Sequence, residues 1–201
     1  PIGSRGLGDV YKRQLLFYRN MARIFLALTP DKGLNDQIIE LKKDLKNSVL
    51  SDADITWQRN NDHHITVNFV GSMEPEQIEE MYTGLSTVSF MSNLDISISS
   101  VAFFPNEDSQ SLVALIKSTN QLQKNFERVD EVVTRIGFGS SLKKYRPHMT
   151  LGRFKVKKRP AYSFEEFDEI NLSSKIKCLD VYESEFDGTK TNYSLLKTFE
   201  F

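Results

Sequence analysis

The chain contains two matching stretches, His64-Ile65-Thr66-Val67 (HITV) and His148-Met149-Thr150-Leu151 (HMTL). Alternate side chains of a β-strand point to the same face, so each histidine should share a face with the threonine two positions later. The apolar residues between them should then face a hydrophobic core. Two of the three histidines in the chain occur in this frame. The pattern therefore predicts two half-buried strands, each presenting an imidazole and a hydroxyl on one side.

The first 20 residues differ in character from the rest of the chain. They are rich in glycine and arginine, lack the apolar segment of a secretion signal, and end just before a strand-like pattern that starts at Met21. The hexapeptide Asp9–Gln14 resembles the translation of a common sequencing adapter. We therefore interpret residues 1–20 as a non-native leader and exclude them from the prediction of the fold.

Composition limits the possible partners of the chain. The net charge is −1 for the whole sequence and −4 for residues 21–201, because the leader carries a net charge of +3. A mildly acidic body does not indicate general nucleic-acid binding, so any contact with RNA must come from a local basic patch. The single cysteine, Cys178, excludes an internal disulfide and favours the cytoplasm. No apolar run approaches the roughly 18 residues of a membrane span, so no membrane association is expected.

Periodicity predicts a mixed α and β chain in which each motif strand follows a helix. Residues such as Leu34, Ile38, Leu41 and Leu45 recur at helical spacing. Helices are predicted over about 34–45, after Ser72, and over 120–136. Strands are predicted at 23–28, 54–58, 64–70, 94–98, 111–117, the second motif, 176–182 and 193–201, with 101–105 as an apolar exit segment. One motif in each half of the chain is typical of a duplicated lobe, and a chance repeat of the motif is the alternative.

Several segments together resemble the RNA 2′,3′-cyclic phosphodiesterases, also called 2′-5′ RNA ligases, of the 2H phosphoesterase superfamily. They are MARIFLAL (21–28), HHITVNFVG (63–71), FFP (103–105), RPHMTLGR (146–153) and the closing pair of strands. The resemblance implies an α+β, bilobal fold in which two antiparallel sheets with outer helices face each other across a central cleft. It also implies that residues 21–201 form a single domain and that each lobe contributes one motif to the cleft.

The same resemblance implies the chemistry of the two motifs. His64 would be the acid that protonates the O3′ leaving group, and His148 the base that activates water, giving a 2′-phosphate end. An imidazole can fill either role near neutral pH, because its unperturbed pKa is about 6.5. Thr66 and Thr150 would bind the phosphate oxygens. The same groups acting in reverse would join a cyclic phosphate to a 5′-hydroxyl, and the mechanism requires no metal and no cofactor.

The two arginines that flank the second motif are further candidates for phosphate binding. Arg146 shares the strand parity of His148. Arg153 matches the family by position but has the opposite parity, so it reaches the cleft only if the strand twists or bulges near Gly152. Solvated surface charge is the alternative for both arginines. It is also the alternative for the nearby basic residues, Lys143, Lys144, Lys155, Lys157, Lys158 and Arg159, which could hold an RNA backbone.

Aromatic residues and the third histidine complete the candidate site. Phe25 and Phe104 are possible base-stacking residues, as are Trp57 and Tyr145, with core packing as the alternative for each. His63 has the opposite parity from His64 and should point away from the cleft into a structural role.

The predicted partners are RNA or oligonucleotide ends, and the protein is expected to act as a monomer in the cytoplasm. Two other functions fit the same sequence features. One is a 2H phosphodiesterase acting on 2′-5′ oligonucleotides or on a small nucleotide cyclic phosphate. The other is a module that binds RNA ends without turnover, although binding alone does not require a pair of groups able to exchange protons.

Overall fold

The structure is a computed structural model that describes residues 21–92, 94–140, 145–155, 162–167 and 170–201. Within these ranges, no helix combines the length and the apolar character needed to cross a membrane. The strands are β1 (Ala22–Leu28), β2 (Ile55–Trp57), β3 (Ile65–Met73), β4 (Leu94–Phe104), β5 (Ser111–Ile116), β6 (His148–Phe154), β7 (Leu172–Ile176), β8 (Cys178–Phe186) and β9 (Thr191–Glu200). The helices are α1 (Lys32–Asn47), α2 (Pro75–Ser86) and α3 (Asn120–Arg135), with a short 3₁₀ turn at Glu165–Phe167.

The strands form an antiparallel sheet in two parts that meet between the motif strands. Their order is β7-β4-β5-β6-β3-β1-β8-β9, with β2 also paired to β6. A single residue pair, Ile65 with Met149, connects β3 to β6. Helix α1 packs beside β7, and α3 packs beside β3. The α+β architecture of antiparallel sheets with outer helices is therefore confirmed, and the backbone pair at the motifs joins the two parts into one continuous sheet.

Local sequence determines where the helices begin. Asp31 caps α1, since its carboxylate accepts a hydrogen bond from the Leu34 backbone N–H at 2.8 Å. Thr119 caps α3 in the same way. Helix α2 starts with Pro75 at its first position and a reciprocal capping box between Glu74 and Gln77. These starts match the positions predicted from the sequence.

The closing strands differ from the prediction. We expected a strand over residues 176–182, whereas Leu172–Ile176 forms β7 at the edge of β4, and β8 starts separately at Cys178. The alternating pattern continues through both strands, so periodicity does not reveal that the chain leaves one edge of the sheet for another. The segment after Ile98 also differs, because it continues β4 as far as Phe104 and is not a separate exit.

The apolar residues of both motifs lie in the hydrophobic core. Ile65, Met149 and Leu151 are fully buried, and Val67 is 6% exposed. They belong to the same core cluster as the buried faces of the three helices of the described chain. The histidine and threonine of each motif are half-buried on the other face of their strands. The alternation predicted for the two motifs is therefore confirmed.

Candidate active site

The two motifs share one local conformation. From His64 to Phe69 and from His148 to Arg153, the side chains follow the same order: half-buried, buried, half-buried, buried, buried, exposed. Regular alternation would not place two buried residues in succession. Each motif strand therefore departs from regular pairing directly after its threonine.

In β3 the departure is a β-bulge at Val67. Neighbouring residues of β1 pair with Thr66 and Asn68, which leaves Val67 as an extra residue in β3. Both Val67 and Asn68 are buried. The side chain of Phe69 consequently emerges on the same face as Thr66, although its sequence parity is opposite.

The bulge in β6 is at Leu151. Neighbouring residues of β5 pair with Thr150 and Gly152, which leaves Leu151 as the extra residue. Arg153 therefore emerges on the same face as His148 and Thr150, and it is exposed. This is the condition under which the sequence predicted that Arg153 could face the cleft.

Gly152 allows β2 to lie close to this bulge. A Cβ atom at position 152 would lie 2.9 Å from Cδ1 of Ile55 and 3.0 Å from the backbone oxygen of Thr56. Real side chains do not approach this closely without displacement of their neighbours. The glycine therefore permits the pairing of β2 with β6 next to the exposed Arg153.

The pairing of β3 with β6 brings the two motifs together. Extending the antiparallel register by one residue on either side of the joining pair sets His64 across from Thr150, and Thr66 across from His148. Side chains directly opposite each other in such a pair have Cβ atoms about 4.5–5.5 Å apart. The four polar groups therefore form the corners of a small patch, with the histidines on one diagonal and the threonines on the other.

Both histidines are held by the same kind of hydrogen bond. Nδ1 of His64 lies 2.8 Å from the backbone oxygen of Asp62, and Nδ1 of His148 lies 2.8 Å from the backbone oxygen of Arg146. A carbonyl oxygen only accepts, so Nδ1 carries the hydrogen in each ring. The Nε2 atoms are consequently the atoms that can exchange protons with a substrate.

The electrostatic surroundings of the two histidines differ. Burial lowers the pKa of both imidazoles below the ordinary value. The negative charge of Asp62 acts in the opposite direction and raises the pKa of His64, whereas the neighbouring His148 lowers it. The positive charge of Arg146 lowers the pKa of His148 further. The charged neighbours thus favour a proton on His64 and a neutral ring at His148.

The ring of Phe25 packs against the imidazole of His64. Its ring centre lies 5.0 Å from that of the imidazole, and Tyr193 meets the same imidazole edge-on at 5.3 Å. Phe25 is only 1% exposed, so it offers no open face to a base. The prediction of base stacking is therefore wrong for Phe25. The same holds for Tyr145, which is 9% exposed and donates its hydroxyl to the Thr66 backbone oxygen at 3.2 Å.

Phe104 and Arg146 lie together beside His148. The Phe104 ring stacks on the imidazole with centres 3.8 Å apart. The guanidinium carbon of Arg146 lies 4.7 Å from the centre of the same ring, and Nη1 donates to the backbone oxygen of Pro105 at 3.1 Å. Phe104 is half-buried. Base stacking by Phe104 and phosphate binding by Arg146 both stay predictions.

His63 points away from the histidine pair, as strand alternation predicted, into a buried polar network. Its Nδ1 hydrogen-bonds the Asn35 amide oxygen at 2.6 Å, and its Nε2 lies 2.9 Å from Nζ of Lys42. Lys42 also donates to the Gln58 backbone oxygen and to the Asn60 side chain. Burial lowers the pKa of His63 to about 4 and that of Lys42 to about 8. The network anchors the loop that carries the Asp62 carbonyl.

A groove of about 510 Å³ lies beside His64. It is lined by Arg59, Asn60, Asn61, Asp62, Asn192 and Tyr193. Arg59 forms an ion pair with the Asp62 carboxylate, so the charges that line the groove nearly cancel. Arg59 also donates a hydrogen bond to the Asn192 side chain at 3.1 Å. Burial raises the pKa of Tyr193, and the charges of Arg59 and Arg153 oppose that rise. Arg153 therefore lies within electrostatic reach of the ring that contacts His64.

Two site residues were not predicted from the sequence. Phe69 reaches the motif face only because of the bulge at Val67, which no residue in HITVNF signals. Tyr193 was assigned to a strand, but its contact with His64 joins segments that are distant in sequence.

Of the basic residues predicted near the second motif, five lie outside the described residues: Lys143, Lys144, Lys157, Lys158 and Arg159. Lys155 forms an exposed ion pair with Asp54 at 2.7 Å.

Comparison with known proteins shows similarity to one family of phosphoesterases. Residues 28–115 match the family described as LigT like Phosphoesterase. This match covers less than half of the chain, and with the relatives described below it indicates similarity to LigT-like phosphoesterases. In the described ranges, no cluster of three or more histidine, cysteine, aspartate or glutamate side chains could hold a metal ion.

Relatives of known name cover most of the chain. The RNA 2′,3′-cyclic phosphodiesterase of Methanocaldococcus jannaschii is 24% identical over 186 residues, which are 87% of this chain and 98% of the relative. A protein of the same name from Archaeoglobus fulgidus is 29% identical over 75% of this chain and 86% of its own length. The crystal structure of E. coli LigT complexed with 3′-AMP has a TM-score of 0.71 at 16% identity, over 90% of this chain and 98% of that one. That likeness shows a shared fold.

Proposed function

We propose that this protein hydrolyses the 2′,3′-cyclic phosphate ends of RNA to 2′-phosphate ends. The names of the Methanocaldococcus and Archaeoglobus relatives support the substrate class. The observation that carries the proposal is the opposite charge beside each histidine, Asp62 at His64 and Arg146 at His148. An in-line displacement at phosphorus needs one proton donor and one proton acceptor on opposite sides of the reacting atom.

In this mechanism His148 acts as the base and His64 as the acid. Nε2 of His148 takes a proton from water as the water oxygen attacks phosphorus. The bond from phosphorus to O3′ breaks, and O3′ takes a proton from Nε2 of His64. The product carries a 2′-phosphate and a free 3′-hydroxyl, and solvent returns the two histidines to their starting states. Bound phosphate helps this cycle, because its negative charge raises the pKa of His64 against the effect of burial.

The remaining groups of the patch bind the phosphate. The hydroxyls of Thr66 and Thr150 occupy the second diagonal and can donate to the two non-bridging oxygens, where charge accumulates during the displacement. Arg153 adds a positive charge on the same face. These donors are fixed by the strands, so they need little reorganisation when the reaction occurs.

The same groups can join a cyclic phosphate to another RNA end. With a 5′-hydroxyl in place of water, His148 would take the proton of that hydroxyl as its oxygen attacks phosphorus. The bond from phosphorus to O3′ would break, His64 would protonate O3′, and a 2′-5′ linkage to RNA would form. Because water is abundant, we propose hydrolysis as the physiological direction. The lone Cys178 supports the reducing cytoplasm as the site of activity.

The test is to incubate the purified protein with an oligoribonucleotide that ends in a 2′,3′-cyclic phosphate, with EDTA present, and to identify the product. We expect a 2′-phosphate end, and a rate that falls by roughly 10²- to 10⁴-fold in His64→Ala and in His148→Ala. Circular dichroism of each variant checks that the fold is retained. Binding without turnover, or activity that survives both substitutions, would contradict the proposal.

A further inference from the structure

The groove beside His64 is large enough to hold more of a substrate than the reacting phosphate. It lies between the loop of residues 59–62 and two residues of β9, Asn192 and Tyr193, and has a volume of about 510 Å³. Small-molecule sites in proteins have volumes of about 300–1,000 Å³. The Asp62 backbone oxygen and the Tyr193 ring both contact His64, so the groove lies directly beside the proposed acid. A substrate held at the histidine pair could therefore place one further unit in this groove.

Hydrogen bonds fix the two walls of the groove. Nη1 of Arg59 donates to the Asn192 side chain at 3.1 Å, and Nη2 donates to the Thr191 backbone oxygen at 3.2 Å. Lys42, which is buried, donates to the side-chain oxygen of Asn60 in the loop at 2.9 Å. The groove is therefore formed before any ligand binds, which lowers the ordering cost of binding.

The same contacts determine the orientation of two amide side chains. Arg59 and Lys42 can only donate, so the oxygen of Asn192 faces Arg59 and the oxygen of Asn60 faces Lys42. The NH₂ groups of both side chains are then directed away from these cations. Nδ2 of Asn192 uses one hydrogen for Asp187 at 2.9 Å and has a second, and Asn60 is exposed. The groove thus offers N–H donors, which suit a ligand rich in acceptor oxygens.

The connectivity of ribose directs the RNA chain toward this groove. In the proposed mechanism O3′ departs toward His64, in line with the water that enters beside His148. Ribose C3′ is bonded to C4′, which carries the 5′ linkage to the preceding nucleotide, whereas the base is attached beyond C2′, at C1′. The 5′ linkage therefore leaves the ribose on the side of His64. The positive charge of Arg153 acts on Tyr193 at the same groove and favours a phosphate there.

We propose that this groove binds the backbone of the nucleotide that precedes the cyclic phosphate, so that the enzyme prefers oligoribonucleotide ends to mononucleotide cyclic phosphates. This inference rests on the proposed function, because it takes the cyclic phosphate to lie at the histidine pair. The donors contact phosphate and ribose oxygens, so the preference is for chain length and not for base sequence. The groove thus favours RNA ends over a small nucleotide cyclic phosphate, two substrates between which the sequence did not decide.

The test compares substrates of increasing length. Adenosine 2′,3′-cyclic phosphate has no nucleotide for the groove, the dinucleotide with the same end has one, and the trinucleotide has two. We expect kcat/KM to rise by roughly 10-fold from the mononucleotide to the dinucleotide, which corresponds to about 1.4 kcal/mol. It should change little from the dinucleotide to the trinucleotide. A dinucleotide with a methylphosphonate linkage lacks one acceptor oxygen and the negative charge, so it should lose most of the gain.

Asn60→Asp removes a donor from the groove with little change in shape. The aspartate keeps an oxygen for Lys42 but has a negatively charged oxygen in place of the NH₂ group, so the advantage of the dinucleotide over the mononucleotide should fall toward 1. Asn120→Asp is the matched control, because it makes the same change at an exposed position of α3, which packs on the core face of the sheet. The advantage should persist in this control, and circular dichroism checks the fold of both variants.

Equal kcat/KM for the mononucleotide and the dinucleotide, or an advantage that is unchanged in Asn60→Asp, would overturn the role of the groove. Failure of the proposed function has a different signature, because none of the three cyclic phosphates is then hydrolysed. In that case equilibrium binding of a mononucleotide and a dinucleotide that end in a 2′-phosphate still tests the groove. Tighter binding of the dinucleotide that is lost in Asn60→Asp supports its role, and equal binding overturns it.

Discussion

His64 and His148 are anchored in the same way, since each donates its Nδ1 hydrogen to the backbone oxygen of the residue two positions earlier, at 2.8 Å. The two rings therefore present the same atom, Nε2, to the space between them. What distinguishes them is the nearest charged side chain, which is the carboxylate of Asp62, itself paired with Arg59, at His64 and the guanidinium of Arg146 at His148. A symmetric backbone with asymmetric charges is a simple way to obtain one acid and one base from a repeated motif.

Loss of either threonine hydroxyl should reduce kcat. Thr66→Val and Thr150→Val keep the shape of the side chain but remove a donor to the phosphate, and removal of one such donor typically costs roughly 10²- to 10³-fold in kcat. Thr→Ser at the same positions should retain most of the activity. Thr83→Val on the exposed face of α2 is the control. Effects within a few-fold at both motif threonines would show that they do not contact the reacting phosphate.

The pH dependence of kcat should be bell-shaped and should respond to Arg146. Arg146→Gln removes a positive charge that lowers the pKa of His148, so that pKa should rise. The base then becomes neutral only at higher pH, and the acidic limb of the profile should move to higher pH. Arg146→Lys keeps the charge and should leave that limb in place. An acidic limb that is unchanged in Arg146→Gln would contradict the assignment of His148 as the base.

The free energy of unfolding should depend on pH through His63. Its pKa is lowered from the ordinary 6.5 to about 4 by burial and by the charge of Lys42. Between these values the unfolded chain binds a proton that the folded chain does not, so the stabilising effect is complete above pH 6.5 and is lost as the pH falls toward 4. His63→Gln removes the titrating ring, so its urea midpoint should fall less between pH 7 and pH 5. Equal falls in both proteins would rule out this role for His63.

Gly152→Ala should destabilise the protein. The added methyl group would meet Ile55 and the Thr56 backbone oxygen at 2.9–3.0 Å, and overpacking of this kind costs about 1–3 kcal/mol. Because Arg153 follows directly, KM should rise as well. Gly139→Ala is the matched control, since no atom lies within 4 Å of its added methyl group. Denaturant unfolding and steady-state kinetics measure both effects, and a Gly152→Ala protein as stable as the Gly139→Ala protein would contradict the account.

Strand alternation in the sequence was enough to predict which face carries the four central groups of the candidate site. It assigned the faces of His64, Thr66, His148 and Thr150 correctly, because the strands are regular up to each threonine. It failed for Phe69, and left Arg153 undecided, because a bulge adds one residue to the strand and reverses the parity of everything beyond it. Gly152 signals the second bulge, but no residue signals the first.

The partners that cover a strand or a side chain in the folded protein were harder to predict than the strands themselves. Phe25 was predicted as a possible base-stacking residue, but Tyr193 on β9 covers its ring, in a contact between segments far apart in the sequence. The separation of β7 from β8 was missed for a similar reason. Both strands have the same alternating pattern, and only their partners in the folded sheet distinguish them.

The most direct test of the account separates the role of the general acid from that of the general base. A 2′,3′-cyclic phosphate with sulfur in place of O3′ has a leaving group that needs little protonation, so it should react without a general acid. We predict that this substrate restores most of the rate lost in His64→Ala and leaves His148→Ala as slow as before. Restoration in His148→Ala instead, or an equal response of both variants, would contradict the assignment of His64 as the acid and His148 as the base.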